Sequence, residues 1–276
     1  MQTIERNGQL SDGVEMYSYT WAPQEPARAV ICLVHGHGEH IHRYDHVGEA
    51  FARAGLLLTG YDLRGHGRSG GKRGHTPSYE RLLEDIADFL ADARSRYPGL
   101  PVFLYGHSMG GNQVINYGLR YPENLKGMIV TDPWLRLAFE PTRTQLVLAK
   151  VMNNIIPSFS QPSGLEQAAL SRDPAIVQAY ATDPLVHDKI SARLFTVMHA
   201  NGLWALEHAA ALKIPMLLMH GNADRLSSAK ATQEFAAAAG DRVTLRIWDG
   251  FYHEIHNEPE KAQVIQVMID WLNERL

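Results

Sequence analysis

Residues 102–111 read Val102-Phe103-Leu104-Tyr105-Gly106-His107-Ser108-Met109-Gly110-Gly111, and this stretch decides the fold. A short apolar run ends in Gly-x-Ser-x-Gly, and a helical pattern (Val114, Ile115, Leu119) follows. Strand, serine and helix in that order form a turn that lifts Ser108 to the end of a strand as a nucleophile. The flanking glycines suit it, because side chains there would collide with neighbouring backbone. The new helix turns its free N–H groups toward developing negative charge.

Working outward, short apolar runs recur at residues 29–34, 56–61, 128–131, 216–219 and 243–247, with helical spacing after most of them. Fully apolar runs separated by helices predict a mostly parallel sheet covered on both faces. Residues 15–20 alternate and predict an antiparallel edge strand. Tyr79, Leu82, Leu83, Ile86, Phe89, Leu90 and Ala93 share one helical face, as do Val264, Ile265, Met268, Trp271 and Leu272. Pro259 is expected in the first turn of the last helix.

The alternation stops between Asp132 and Lys213. Residues 146–156 and 192–199 have helical spacing, and residues 158–164 read as a Pro/Ser/Gly loop. The expected organisation is a core in two parts, 1–132 and 213–276, with a helical cap at 133–212 inserted between two strands.

A serine hydroxyl needs a base and a group to orient that base. With Ser108 as nucleophile, the acid and then the histidine are expected after late strands. Asp224 follows the 216–219 run and a glycine, and His253 follows the 243–247 run and Gly250. Asp132, at the end of an earlier strand, is the alternative acid, and His256 the alternative base. His35-Gly36-His37-Gly38-Glu39-His40 follows the first parallel strand, where the first oxyanion donor belongs. The N–H groups of His37 and Met109 are the expected pair. The histidines at 35, 37, 40, 42 and 46 fit no standard zinc spacing, so no metal and no cofactor is expected.

Composition narrows the class further. The 276 residues are 45% hydrophobic and 20% charged, with a net charge of −4. That balance gives no electrostatic case for nucleic acid or for an anionic membrane. The single cysteine, Cys32, excludes an internal disulfide and sits in an apolar run as a core residue. Residues 1–10 carry charge and no apolar core, so they do not read as a secretory signal. A cytoplasmic location is the expectation.

Five segments together resemble the monoacylglycerol lipase and lysophospholipase-like branch of the α/β-hydrolase superfamily, grouped with serine aminopeptidase-type sequences. They are His35-Gly-His-Gly-Glu-His40 with Arg43-Tyr44; Tyr61-Asp-Leu-Arg-Gly-His-Gly-Arg-Ser69; residues 97–111; His220-Gly-Asn-Ala-Asp224; and Tyr252-His253-Glu254 with Asn257-Glu258-Pro259. The resemblance implies an α/β-hydrolase fold and cleavage of carboxylic esters, most of all monoacylglycerol. It implies Ser108, Asp224 and His253 as triad, with His37 and Met109 as oxyanion donors. It implies that Glu39 and Arg43 order the oxyanion loop and the polar end of the pocket, with His107 beside them, and that Arg64 to Gly67 are structural. The implied partner is a small lipid or ester, reached by transient membrane contact through the cap. An aminopeptidase would instead need acids in the cap, for which Glu140, Glu166 and Asp173 are available. A non-catalytic relative would be expected to have lost a triad member, and this chain keeps all three.

Overall fold

The computed structural model describes residues 1–123, 125–139 and 141–276. Its strands are β1 (Gln2–Gln9), β2 (Glu15–Ala22), β3 (Val30–Val34), β4 (Leu57–Tyr61), β5 (Val102–His107), β6 (Gly127–Thr131), β7 (Ser160–Pro162), β8 (Lys189–Ser191), β9 (Met216–Gly221) and β10 (Val243–Trp248). Its α-helices are α1 (Asp45–Arg53), α2 (Tyr79–Arg96), α3 (Met109–Arg120), α4 (Arg143–Ile155), α5 (Pro174–Thr182), α6 (Ala192–Glu207), α7 (Ala229–Ala239) and α8 (Lys261–Asn273).

Eight strands form one sheet in the order β1-β2-β4-β3-β5-β6-β9-β10, antiparallel over the first three and parallel from β4 onward. Side chains of the fully buried β3 alternate between two cores. Val30, Cys32 and Val34 pack with Ile86, Phe89, Val114 and Phe235 on one face. Ala29, Ile31 and Leu33 pack with Phe51, Val264, Met268 and Trp271 on the other. Two-sided burial is why these strands read as unbroken apolar runs. This is an α/β-hydrolase fold.

The strand at 15–20 is not the edge: β1 covers it. Every residue of β1 is exposed or half-buried, so it carries no apolar signal. At the other edge β10 alternates exposed and half-buried residues rather than lying buried. Pro259 precedes α8 by two residues instead of starting its first turn.

Between β6 and β9 lie α4, α5, α6 and a small β7–β8 hairpin. α4 starts with a reciprocal cap between Thr142 and Gln145, yet buries no residue fully. α5 begins at Pro174 behind the side-chain cap of Asp173. Among the described residues no helix is long and apolar enough to cross a membrane.

The strand order reverses at β3. β4 lies on one side of it and β5 on the other, with Val34 beside Gly106. The loops leaving the carboxyl ends of β3 and β5 therefore diverge and open a crevice, the usual ligand site of such sheets.

Candidate active site

Ser108 stands at the end of β5 with φ 52° and ψ −113°, a left-handed conformation rare outside glycine. Such strain costs about 1–3 kcal/mol and needs the surroundings to hold it. Here the Ser108 N–H donates to Thr131 O, and its carbonyl accepts from Asn112 N and Trp134 N, each at 3.0 Å. A Cβ at Gly106 would press on Gly110 O, and one at Gly110 would strike the Val34 and His35 carbonyls. Both glycines are thus required by close approach of backbone.

His253 lies in the loop after β10. Its Nε2 is 2.9 Å from Ser108 Oγ, and its Nδ1 is 2.7 Å from Asp224 Oδ2. Asp224, in the turn after β9, has its Oδ1 held by the N–H groups of Leu226 and Ser227 at 2.7 and 3.2 Å. Its Oδ2 also meets His220 Nε2 at 3.0 Å and Ser227 Oγ at 2.8 Å. His220 Nδ1 is 2.7 Å from Thr232 Oγ1, which accounts for the second ring nitrogen. Burial alone would raise the Asp224 carboxyl. The His253 charge and the bonds from His220 and His253 outweigh it and hold that carboxyl far below the carboxylate range. Burial depresses His253, and Asp224 more than reverses this, so its pKa is raised above 6.5.

Neither alternative hydrogen-bonds Ser108 or His253, although the Asp132 carbonyl accepts from Ser227 Oγ at 3.0 Å. Asp132, buried with φ 47°, accepts from Gly221 N at 2.9 Å, while its Oδ2 has no hydrogen-bond partner and lies 3.9 Å from His107 Nδ1. Burial beside Asp224 raises its pKa strongly, which favours the neutral acid. His256 stacks on Tyr44 at 4.7 Å, with neither ring nitrogen hydrogen-bonded, and burial keeps it neutral.

The loop after β3 is built around buried polar groups. His35 Nε2 accepts from Leu63 N at 2.9 Å while Nδ1 lies 2.8 Å from Gly36 O, fixing the turn's tautomer. Glu39 Oε1 accepts from Gly36 N at 2.6 Å and from the Tyr44 hydroxyl at 2.8 Å. Arg43 donates to Glu39 Oε2 at 2.9 Å and in bidentate fashion to Glu254 at 2.6 and 2.7 Å. Arg43 therefore clamps the β3 loop to the loop carrying His253. Burial raises both carboxyls. Arg43 and the bond from Asn257 reverse this at Glu254, bringing it to about 2, whereas Glu39 stays raised. Arg64 binds Asp85 in bidentate fashion at 2.9 and 2.8 Å, a structural contact outside the site.

Met109 opens α3, so its N–H has no intrahelical acceptor. His37 borders the same cavity as Ser108 and His253. Its ring nitrogens are shut from solvent and unbonded, and the ring sits edge-on to His66 and His187 at 5.7 and 5.6 Å. Burial lowers its pKa to about 3, so the imidazole is neutral. His107 lies below the site rather than in the cavity wall, with Nδ1 3.0 Å from Thr131 Oγ1 and its ring 5.0 Å from that of His253. Glu39 and Arg43 likewise support the loop without lining the cavity.

The cavity beside Ser108 has a volume of about 620 Å³ and is walled largely by Trp134, Leu148, Met152, Phe159, Phe195 and Leu226. Glu166 reaches its rim but pairs with Arg225 at 2.8 Å, and Asp173 caps α5. Glu140 lies outside the described residues. The sequence reading missed His220, Ser227 and the Arg43 partner role of Glu254. His220 and Glu254 stand inside motifs already singled out, whereas nothing local marks Ser227.

The family model described as "Serine aminopeptidase, S33" matches residues 25–260. A monoacylglycerol lipase of Mycolicibacterium smegmatis is 37% identical over 262 residues, covering 94% of this chain and 93% of that protein. An abhydrolase domain-containing protein of Dictyostelium discoideum is 34% identical over 96% of the chain, which spans 28% of that protein's length. The crystal structure of a monoacylglycerol lipase from Paleococcus ferrophilus aligns with a TM-score of 0.87 at 33% identity, covering 95% of this chain and 99% of the other.

Proposed function

We propose that this chain, which belongs to the serine aminopeptidase S33 family of α/β-hydrolases, cleaves the ester bond of monoacylglycerols through an acyl-enzyme on Ser108. That it is a carboxylic ester hydrolase of the monoglyceride lipase type follows from its relatives. The reading of substrate and mechanism rests on one observation above the rest. The Ser108–His253–Asp224 relay, at 2.9 and 2.7 Å, opens directly into an apolar cavity of about 620 Å³.

In this mechanism His253 Nε2 takes the Ser108 proton as Oγ attacks the ester carbonyl. The carbonyl oxygen becomes an oxyanion held by the N–H groups of His37 and Met109, each worth roughly 3 kcal/mol. Asp224 stabilises the imidazolium. His253 then protonates the departing glycerol oxygen, and the tetrahedral adduct collapses to the acyl-serine. A water enters, gives its proton to His253 and attacks the acyl carbon. Ser108 recovers its proton as the fatty acid leaves. Every step is proton transfer and acyl exchange, so the chain's own groups suffice.

The proposed acyl site is the apolar wall formed by Leu148, Met152, Phe159 and Phe195, all from residues 133–212. That segment acts as a cap over the carboxyl ends of β3 and β5. Its outer apolar side chains, Val147, Val151 and Ile155, are exposed and suit transient contact with a micelle or membrane that supplies the lipid.

Hydrolysis of 1-monoacylglycerols and triacylglycerols beside p-nitrophenyl esters from acetyl to palmitoyl tests this. The expected result is preference for medium and long chains and for monoacylglycerol over triacylglycerol. Activity confined to the acetyl ester would contradict the lipase reading and leave a short-chain esterase.

A further inference from the structure

Charge is segregated around the outer face of α4. The whole chain has 30 Asp and Glu against 26 Lys and Arg. Residues 141–165 contain no carboxylate, and their only charged side chains are Arg143 and Lys150. One side of α4, with Gln145, Ala149 and Met152, meets the cavity. At helical spacing Val147, Val151 and Ile155 form a stripe on another side, and they are 62%, 44% and 68% exposed. Arg143 and Lys150, seven residues apart, fall together on one flank of that stripe, and both are exposed. Beyond the helix end, exposed Ile156 and Phe159 share a shallow groove with Lys72, Arg73 and Lys189. Lys72 Nζ donates to Ser158 O at 2.5 Å, which fixes a cation against this segment. Asp188 stands 3.8 Å from Lys189 Nζ but does not line the groove.

We propose that this face docks the enzyme on a bilayer carrying anionic headgroups. The apolar stripe enters the interface, and Lys72, Arg73, Arg143, Lys150 and Lys189 meet the headgroup charge. The inference rests on the membrane contact proposed above and adds the kind of lipid that contact selects. An apolar stripe alone partitions into any bilayer, whereas adjoining cations add attraction to anionic lipid. The net charge of −4 does not oppose this. Fields are screened within roughly 8 Å at physiological salt, so the local distribution of charge decides.

The test is flotation of the full chain with phosphatidylcholine vesicles and with vesicles containing about one-third phosphatidylglycerol, at low and high salt. Binding to the anionic vesicles is expected to be more than about a hundredfold tighter and to fall back toward the neutral level in high salt. Each basic side chain near the surface strengthens binding by a factor of about five. The combined Lys72→Gln, Lys150→Gln and Lys189→Gln variant should therefore weaken it roughly a hundredfold, with hydrolysis of a soluble p-nitrophenyl ester unchanged. Equal binding to both vesicle types, insensitive to the substitutions, would overturn the headgroup selection while keeping the apolar membrane contact. Binding to neither vesicle would overturn both.

Discussion

At the scale of single residues, the proposed mechanism turns on one histidine's proton affinity. Asp224 keeps its charge because three side chains and two backbone N–H groups surround it, and that charge lifts His253 above its ordinary 6.5 despite burial. The proposed base must be neutral to accept the Ser108 proton. A raised pKa means it is protonated, and useless, until the pH passes that higher value. The acid limb of kcat/KM is therefore expected above pH 6.5. Asp224→Asn removes the charge while keeping the shape, so burial dominates and the limb should move below 6.5, with kcat down about 10,000-fold. A pH–rate profile of both forms checks this. An unmoved limb in Asp224→Asn would mean that another group titrates.

At the scale of elements, the site is an agreement between loops far apart in the chain. Arg43 links the loop after β3 to the loop after β10 by charge-assisted bonds to Glu39 and Glu254. Removing it leaves two buried carboxylates facing each other, a loss of about 3–5 kcal/mol. Arg43→Ala is expected to lower the melting temperature by that equivalent, and a melting curve that overlays wild type would refute the clamp. The same elements show what sequence can carry. Strands β3 to β6 and β9 were legible because burial on both faces leaves an unbroken apolar run. Helices α2 and α8 were legible because one buried face repeats every 3.6 residues. β1 was not, since its pairing is made by backbone alone and its side chains face water. α5 was not, because its side chains are mostly exposed or half-buried and only Tyr180 is fully buried. Ser108, Asp224 and His253 each sit in a local motif. Ser227 holds Asp224 from three residues further along the same turn, but a serine there matches no motif, and Glu254 meets Arg43 only when loops 211 residues apart come together.

At the scale of the whole molecule, one edge of the sheet carries everything the proposed reaction needs. The Ser108–His253–Asp224 contacts, the proposed oxyanion donors and the cavity lie at the carboxyl ends of the strands, beneath the proposed cap, whose outer face is apolar with basic flanks. The central claim is that Ser108 is the nucleophile of this arrangement. Its most direct test is reaction of the folded protein with a fluorophosphonate probe, followed by peptide mass spectrometry, in wild type and Ser108→Ala. The account predicts a single adduct on Ser108 that tracks with loss of ester hydrolysis, and neither labelling nor activity in the variant. An adduct on another residue, or hydrolysis that survives Ser108→Ala, would contradict it.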